Sequence, residues 1–273
     1  ITVRELDSSL TPTGRTFTGT IDDNTGSFSV KGELAYSIVE LSADGYYFNE
    51  VSGSLSTAKL TLSALSDLSD STSVNVNLMT HLEKKRVEYL IGTGLSFSAA
   101  KSQAQGEILK MFNIDNATLG NSETLDISKS GDGNATLLAI SAILQSDKTE
   151  AELTELLSTI NTDIRTDGSL DSSTTKATLV AGMEYLKSRR TIIRSNIENR
   201  YSNLGISATI PAFESYAFKL DTTAPTVSSI SPADNTTTVV STFSATFSEL
   251  MDHSTLTSSN ITLTDDSSEI LSG

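Results

Sequence analysis

The chain has no cysteine and no tryptophan, and only two histidines and four prolines in 273 residues. Without cysteine there is no disulfide, no thiolate nucleophile and no thiolate metal ligand, so ordinary packing must hold every core. Without tryptophan, ring stacking on carbohydrate falls to seven tyrosines and nine phenylalanines. The two histidines, His81 and His253, are remote in sequence and fall in segments of different character. The many serines therefore lack the general base of a nucleophilic triad. Long apolar runs are missing too, and a membrane span needs about 20 such residues. Positive charge is scarce: 19 Lys and Arg stand against 34 Asp and Glu, a net charge of −15. That field repels nucleic-acid backbones and anionic lipid surfaces. The basic runs Lys84-Lys85-Arg86 and Arg189-Arg190 lie on helical patterns and are expected to form solvated faces. No reaction is legible, and the chain is not expected to be an enzyme.

Charged residues make up only 19% of the chain, below the usual quarter, and Ser and Thr take their place. A Ser/Thr-rich surface over β-rich ends suits exported modules. The length is sufficient for two or three domains. Residues 1–72 read as all-β: "ITVREL" alternates, and "TGRTFTGTIDDNTGSFSV" and "AYSIVELSADGYYF" read as strand, turn, strand. Asp22-Asp23-Asn24-Thr25-Gly26 and Asp44-Gly45 supply the turn chemistry.

Residues 73–216 change to helical periodicity. Leu78, Met79, Leu82, Val87, Leu90 and Ile91 form one stripe. Ser96 is an expected N-cap before Phe97, Ala100, Ala104, Ile108 and Phe112. Asn134 is an expected N-cap of "NATLLAISAIL", and Thr149 with Glu152 has capping-box spacing. The longest helix is expected over about 174–204, with Val180, Met183, Leu186, Ile193, Ile197, Tyr201 and Leu204 facing inward. Residues 217–273 return to strands, among them "TFSATFSE". The fold class expected is multi-domain α+β: an N-terminal all-β sandwich, a central α-helical bundle and a C-terminal partial Ig-like sandwich.

"LDISKSGDGNATL" carries the best metal candidate. Asp126, Ser128, Ser130, Asp132 and Asn134 echo the spacing of a calcium loop, but Leu137 stands where a bidentate Glu belongs. The competing reading is a Gly-rich loop ending in an Asn cap. Asp167 and Asp171 in "RTDGSLD" read as a turn between helices. Asp22-Asp23 and Asp265-Asp266 are acidic pairs in turns, with no aromatic platform around them for a sugar. Tyr46 to Phe48 is the one aromatic cluster worth testing, with strand core the competing role. Lys31, Glu33 and Asn49 are the only candidates for an isopeptide cross-link, and Arg4 stands where the first-strand lysine is expected.

"APTVSSISPADNTTTVVSTFSATFSELMDHSTLTSSNITLTD" resembles the bacterial Ig-like domain of surface-layer and adhesin proteins. Ala224-Pro225-Thr226, Ser231-Pro232-Ala233, Phe247-Ser248-Glu249, Met251-Asp252, Ser254-Thr255-Leu256 and Asn260-Ile261-Thr262-Leu263 carry the likeness, over the first half of such a domain. "DNTGSFSV" and "VELSADGYYFNEVSG" resemble a transthyretin-like, carboxypeptidase-regulatory-like β-sandwich. "NVNLMTHLEKKRVEYLIGTGLSF" is similar to a helical module that follows such sandwiches in large bacterial surface proteins. The resemblance implies an extracellular, cell-surface segment of a longer protein, with no catalytic residues to carry over. Its expected partners are other copies of itself or neighbouring domains, and calcium is the only cofactor considered. Phe243, Ala245 and Phe247 are the expected apolar face of an open assembly strand, available for strand complementation and filament growth. A calcium- or glycan-binding surface module is the alternative.

Overall fold

Successive residues of a strand point to opposite faces, and the first strand shows what each face meets. In the computed structural model the described residues are 1–21, 24–114, 119–215, 226–232, 242–247 and 257. They divide between two compact units, Ile1–Lys219 and Leu220–Gly273. In the first unit β1 (Thr2–Leu6), β2 (Pro12–Thr18) and β3 (Ile38–Gly45) come first. A ribbon of β4 (Phe48–Asn49) and β5 (Ser54–Leu55) and then β6 (Leu60–Asp67) follow. Four of these strands form one antiparallel sheet in the order β2-β1-β3-β6. The register aligns Val3 with Leu41, and Leu41 with Ala64.

That face carries Val3, Val39, Leu41 and Ala64, packed with Phe17, Phe28, Val30, Leu68, Val74 and Val76. The opposite face carries Leu6, Ile38 and Leu65, packed against Val87, Leu90, Ala100 and Ala104. Those four residues belong to α1 (Leu78–Gly92) and α2 (Phe97–Met111). The layer that an all-β sandwich assigns to a second sheet is therefore helical. The reason is physical: α1 and α2 need somewhere to bury their apolar stripes, and the sheet offers a matching face. The boundary expected at residue 72 falls between β6 and α1, whose side chains share one hydrophobic cluster. Each fully buried Leu or Val contributes about 1.5–3 kcal/mol to such a cluster.

Glu5 lies on the first of these faces and is fully buried. One carboxylate oxygen accepts from the Thr13 hydroxyl at 2.6 Å. The other accepts the backbone N–H groups of Ala35 and, at 3.2 Å, Tyr36. The Thr13 hydroxyl in particular holds the Glu5 carboxyl below its ordinary range. A buried carboxylate thus fastens the β2–β3 connection to β1.

The helices begin where capping chemistry permits. Asn77 accepts from the Thr80 N–H while the Thr80 hydroxyl receives the Asn77 N–H, a reciprocal box. Ser96 caps α2 through the Ala99 N–H at 3.3 Å. α3 (Asp132–Gln145) is buried from Ala135 to Gln145 and forms the centre of the helical layer. It starts two residues before Asn134, with Gly131 as the N-cap, so the Asn134 cap is corrected. α4 (Glu150–Asp163) opens with the Thr149–Glu152 capping box. α5 (Ser173–Asn203) crosses α3 closely, because a Cβ on Gly182 would lie 2.5 Å from the Ile143 carbonyl oxygen. Met183, Leu186, Ile193 and Ile197 are buried on α5, whereas Val180 is exposed.

The second unit shows β7 (Val227–Ser231) paired antiparallel with β8 (Ser244–Phe247). Val227 stands opposite Phe247, and Ile230 opposite Ala245. The stretch Asn260–Leu263, together with His253, Asp265-Asp266 and Asp22-Asp23, lies outside the described residues.

Candidate functional site

The calcium-loop residues do come together, around one another. The Asp126 carboxylate accepts from the Ser128 N–H at 2.9 Å and from the Ser128 hydroxyl at 2.6 Å. Lys129 closes on its other oxygen at 3.0 Å. Asn134 Oδ1 accepts the Asp126 N–H at 2.7 Å, and its amide nitrogen donates to the carbonyls of Lys129 and Ser130. Asp132 sits in the first turn of α3, where a carboxylate favours the helix dipole. The oxygens that a cation would use are engaged in an Asx-type turn that leads into α3. Among the described residues no three acidic or imidazole groups cluster as a metal site.

Two further groups of sequence candidates separate. Asn49 accepts the N–H groups of Val51 and Ser52 within its own turn, and Arg4 pairs with Glu40 at 2.9 Å, so neither assembles a cross-link. Tyr46 is exposed, against its expected place in strand core, and Phe48 lies under the Arg200 guanidinium at 5.2 Å. In the second unit Phe243 precedes β8 and is 54% exposed; Ala245 is exposed and Phe247 partly covered. Val227 and Ile230 on β7 are exposed as well.

Of the basic runs, Lys85, Arg189 and Arg190 are exposed as expected, whereas Lys84 and Arg86 are drawn into the fold. Lys84 bridges Glu40 at 2.9 Å and Glu88 at 2.7 Å. Arg86 is buried, with Nε and a terminal nitrogen donating to the two oxygens of Glu107 at 2.6 and 2.8 Å. Its other terminal nitrogen donates to the carbonyls of Arg165 and Thr166, just past α4. Arg189 stacks on Tyr185, and Arg190 donates to the Glu214 carbonyl. Lys101 is buried against Glu83 at 2.6 Å and Glu123 at 2.9 Å. Lys101 thus settles two buried carboxylates, Glu83 and Glu123.

An open groove of about 450 Å³ lies where β6, α1 and α4 meet. Leu60 and Thr61 come from β6, His81 and Lys85 from α1, and Thr154, Leu157, Ser158, Asn161 and Thr162 from α4, with Arg165 just beyond it. His81 Nδ1 accepts the Ser63 backbone N–H at 3.2 Å, which leaves the ring proton on Nε2. Burial, aided by the Lys84 charge, lowers the His81 pKa to about 4, so the ring is neutral at neutral pH. The Asn161 amide nitrogen reaches the His81 carbonyl at 3.5 Å, while its buried Oδ1 has no hydrogen-bond partner among the described residues. Sequence reasoning set His81 aside for want of a second histidine. The hydroxyls at 154, 158 and 162 and the His81–Lys85 pair do recur at helical spacing, but only the packing of α1 on α4 brings them into one groove.

A family model for the bacterial Ig-like domain matches residues 221–272. No curated protein and no solved structure matches the chain. No helix among the described residues is long and apolar enough to cross a membrane. The segment that contains β7 and β8 is thus similar to the bacterial Ig-like domain family, a kind of domain typical of bacterial surface proteins.

Proposed function

We propose that the chain is an extracellular structural or adhesive segment of a bacterial cell surface, acting through shape and strand pairing and without catalysis. The observation that carries this reading is the Ig-like segment at residues 221–272. The Ser/Thr-rich, strongly acidic composition supports it.

Assembly by strand complementation is part of the proposal. The β7–β8 ribbon leaves Val227, Ile230 and Phe243 each more than half exposed, and such a ribbon presents main-chain groups that a strand from another copy can pair. A heterologous contact that does not close yields a filament. Light scattering coupled to size-exclusion chromatography tests this part: mass rises with concentration, and Phe243→Lys abolishes the rise. A constant monomer mass across the series refutes strand-paired assembly. The alternative reading, a calcium- or glycan-binding surface module, has in its favour the hydroxyls of Thr154, Ser158 and Thr162 along the groove of the first unit.

A further inference from the structure

The groove between β6, α1 and α4 has two chemically different ends. The contact of Asn161 with the His81 carbonyl and the contact of Arg86 with the Arg165 carbonyl show that α1 and α4 run side by side in the same sense. Lys85 and Arg165 therefore share one end. Thr57, which precedes β6, binds the Glu150 carboxylate at the start of α4, so Leu60, Thr61 and Thr154 share the other. Both cations are exposed. Lys85 has only a loose contact, 3.7 Å, with Glu88. Arg165 has no carboxylate within ion-pair distance among the described residues. That sets them apart from Lys84, Arg86 and Lys101, whose charges are all taken up.

Between the ends lie neutral hydrogen-bonding groups. The His81 ring offers a donor at Nε2. The Thr154 and Thr162 hydroxyls donate to carbonyls of their own helix at 2.8 Å, which leaves their lone pairs free to accept. The Asn161 Oδ1, by contrast, is closed off beneath the groove surface.

We propose that this groove binds a small hydroxylated carboxylate, the chemistry of a sugar acid. Lys85 and Arg165 receive the carboxylate, and His81, Thr154, Ser158 and Thr162 meet the hydroxyls. A planar carboxylate suits the guanidinium fork. A neutral imidazole beside acceptor oxygens suits hydroxyl groups better than a second anionic centre. This site stands on the first unit alone and does not depend on the assembly proposed for the second.

Isothermal titration of the full chain with D-glucuronate, D-glucose and inorganic phosphate, at low ionic strength, tests it. Glucuronate is expected to bind saturably, and glucose and phosphate about tenfold more weakly or not at all. Lys85→Gln combined with Arg165→Gln should weaken glucuronate by at least about tenfold without altering the melting temperature, since both side chains are exposed. Ser158→Glu, which places a carboxylate in the groove, should abolish binding. Glucuronate failing to saturate the chain, binding no better than glucose or phosphate, or binding equally well to the double variant overturns the proposal.

Discussion

The Ser63 main-chain N–H donates to His81 Nδ1 at 3.2 Å, and this bond ties the last strand of the sheet to the first helix. It also fixes the tautomer of the ring, and it forms only while Nδ1 is unprotonated.

A pH dependence of stability follows. The His81 pKa falls from 6.5 to about 4 on folding, chiefly through burial. Between those values the unfolded chain binds the proton and the folded one does not. Stability from this residue is therefore complete above about pH 6.5 and is lost as pH falls toward 4. Allowing for the partial exposure of the ring, the loss is about 2 kcal/mol. His81→Gln, which can still accept from Ser63, should remove this component. Urea unfolding of both proteins at a series of pH values checks it, and parallel curves contradict it.

Lys101 is the counter-charge of two carboxylates in the interior. Burial pushes the Glu83 carboxyl up while Lys101 pulls it back. Lys101 itself, opposed by its own burial, is held above its ordinary value by Glu83 and Glu123. Lys101→Met should cost about 3–5 kcal/mol in denaturant unfolding, because it strands both acids. Adding Glu83→Gln should recover part of that loss.

Gly168 adopts φ +78° beside the Glu107 carboxylate, where a Cβ would come within 2.2 Å of its carbon. Gly168→Ala is expected to cost about 2 kcal/mol or more, from the left-handed backbone and the displaced partner of Arg86. A destabilisation below about 0.5 kcal/mol would show that the loop yields freely.

Thr149 caps α4 by accepting the Glu152 N–H at 3.3 Å. Thr149→Ala should lower stability by about 1 kcal/mol and Thr149→Ser by much less. Thermal melts of the two variants separate loss of the cap from loss of a methyl group.

Local chemistry was legible in the sequence where it is decided locally. The box at Thr149–Glu152, the Ser96 cap and the stripe Ala100, Ala104, Ile108 and Phe112 depend on neighbours within a turn or two. The layer opposite the sheet was not legible, because an alternating strand needs an apolar partner and does not specify a sheet or a helix. Val180 fits the inward stripe of α5 by spacing, yet it is exposed. Asn134 has the composition of an N-cap, but Gly131 takes the helix entry and frees Asn134 to pin the preceding loop. The groove was hidden for another reason: its cations, imidazole and amide come from α1, α4 and the turn beyond, which are brought together by long-range packing alone.

The most direct test of the surface reading is labelling of intact bacteria that produce the protein, using a membrane-impermeant amine reagent. Lys129, with a side chain 73% exposed, and Lys59, 54% exposed, are ready acceptors. The account predicts labelling of these lysines on unbroken cells, where a cytoplasmic control protein stays unlabelled. Labelling that appears only after the cells are lysed would contradict it.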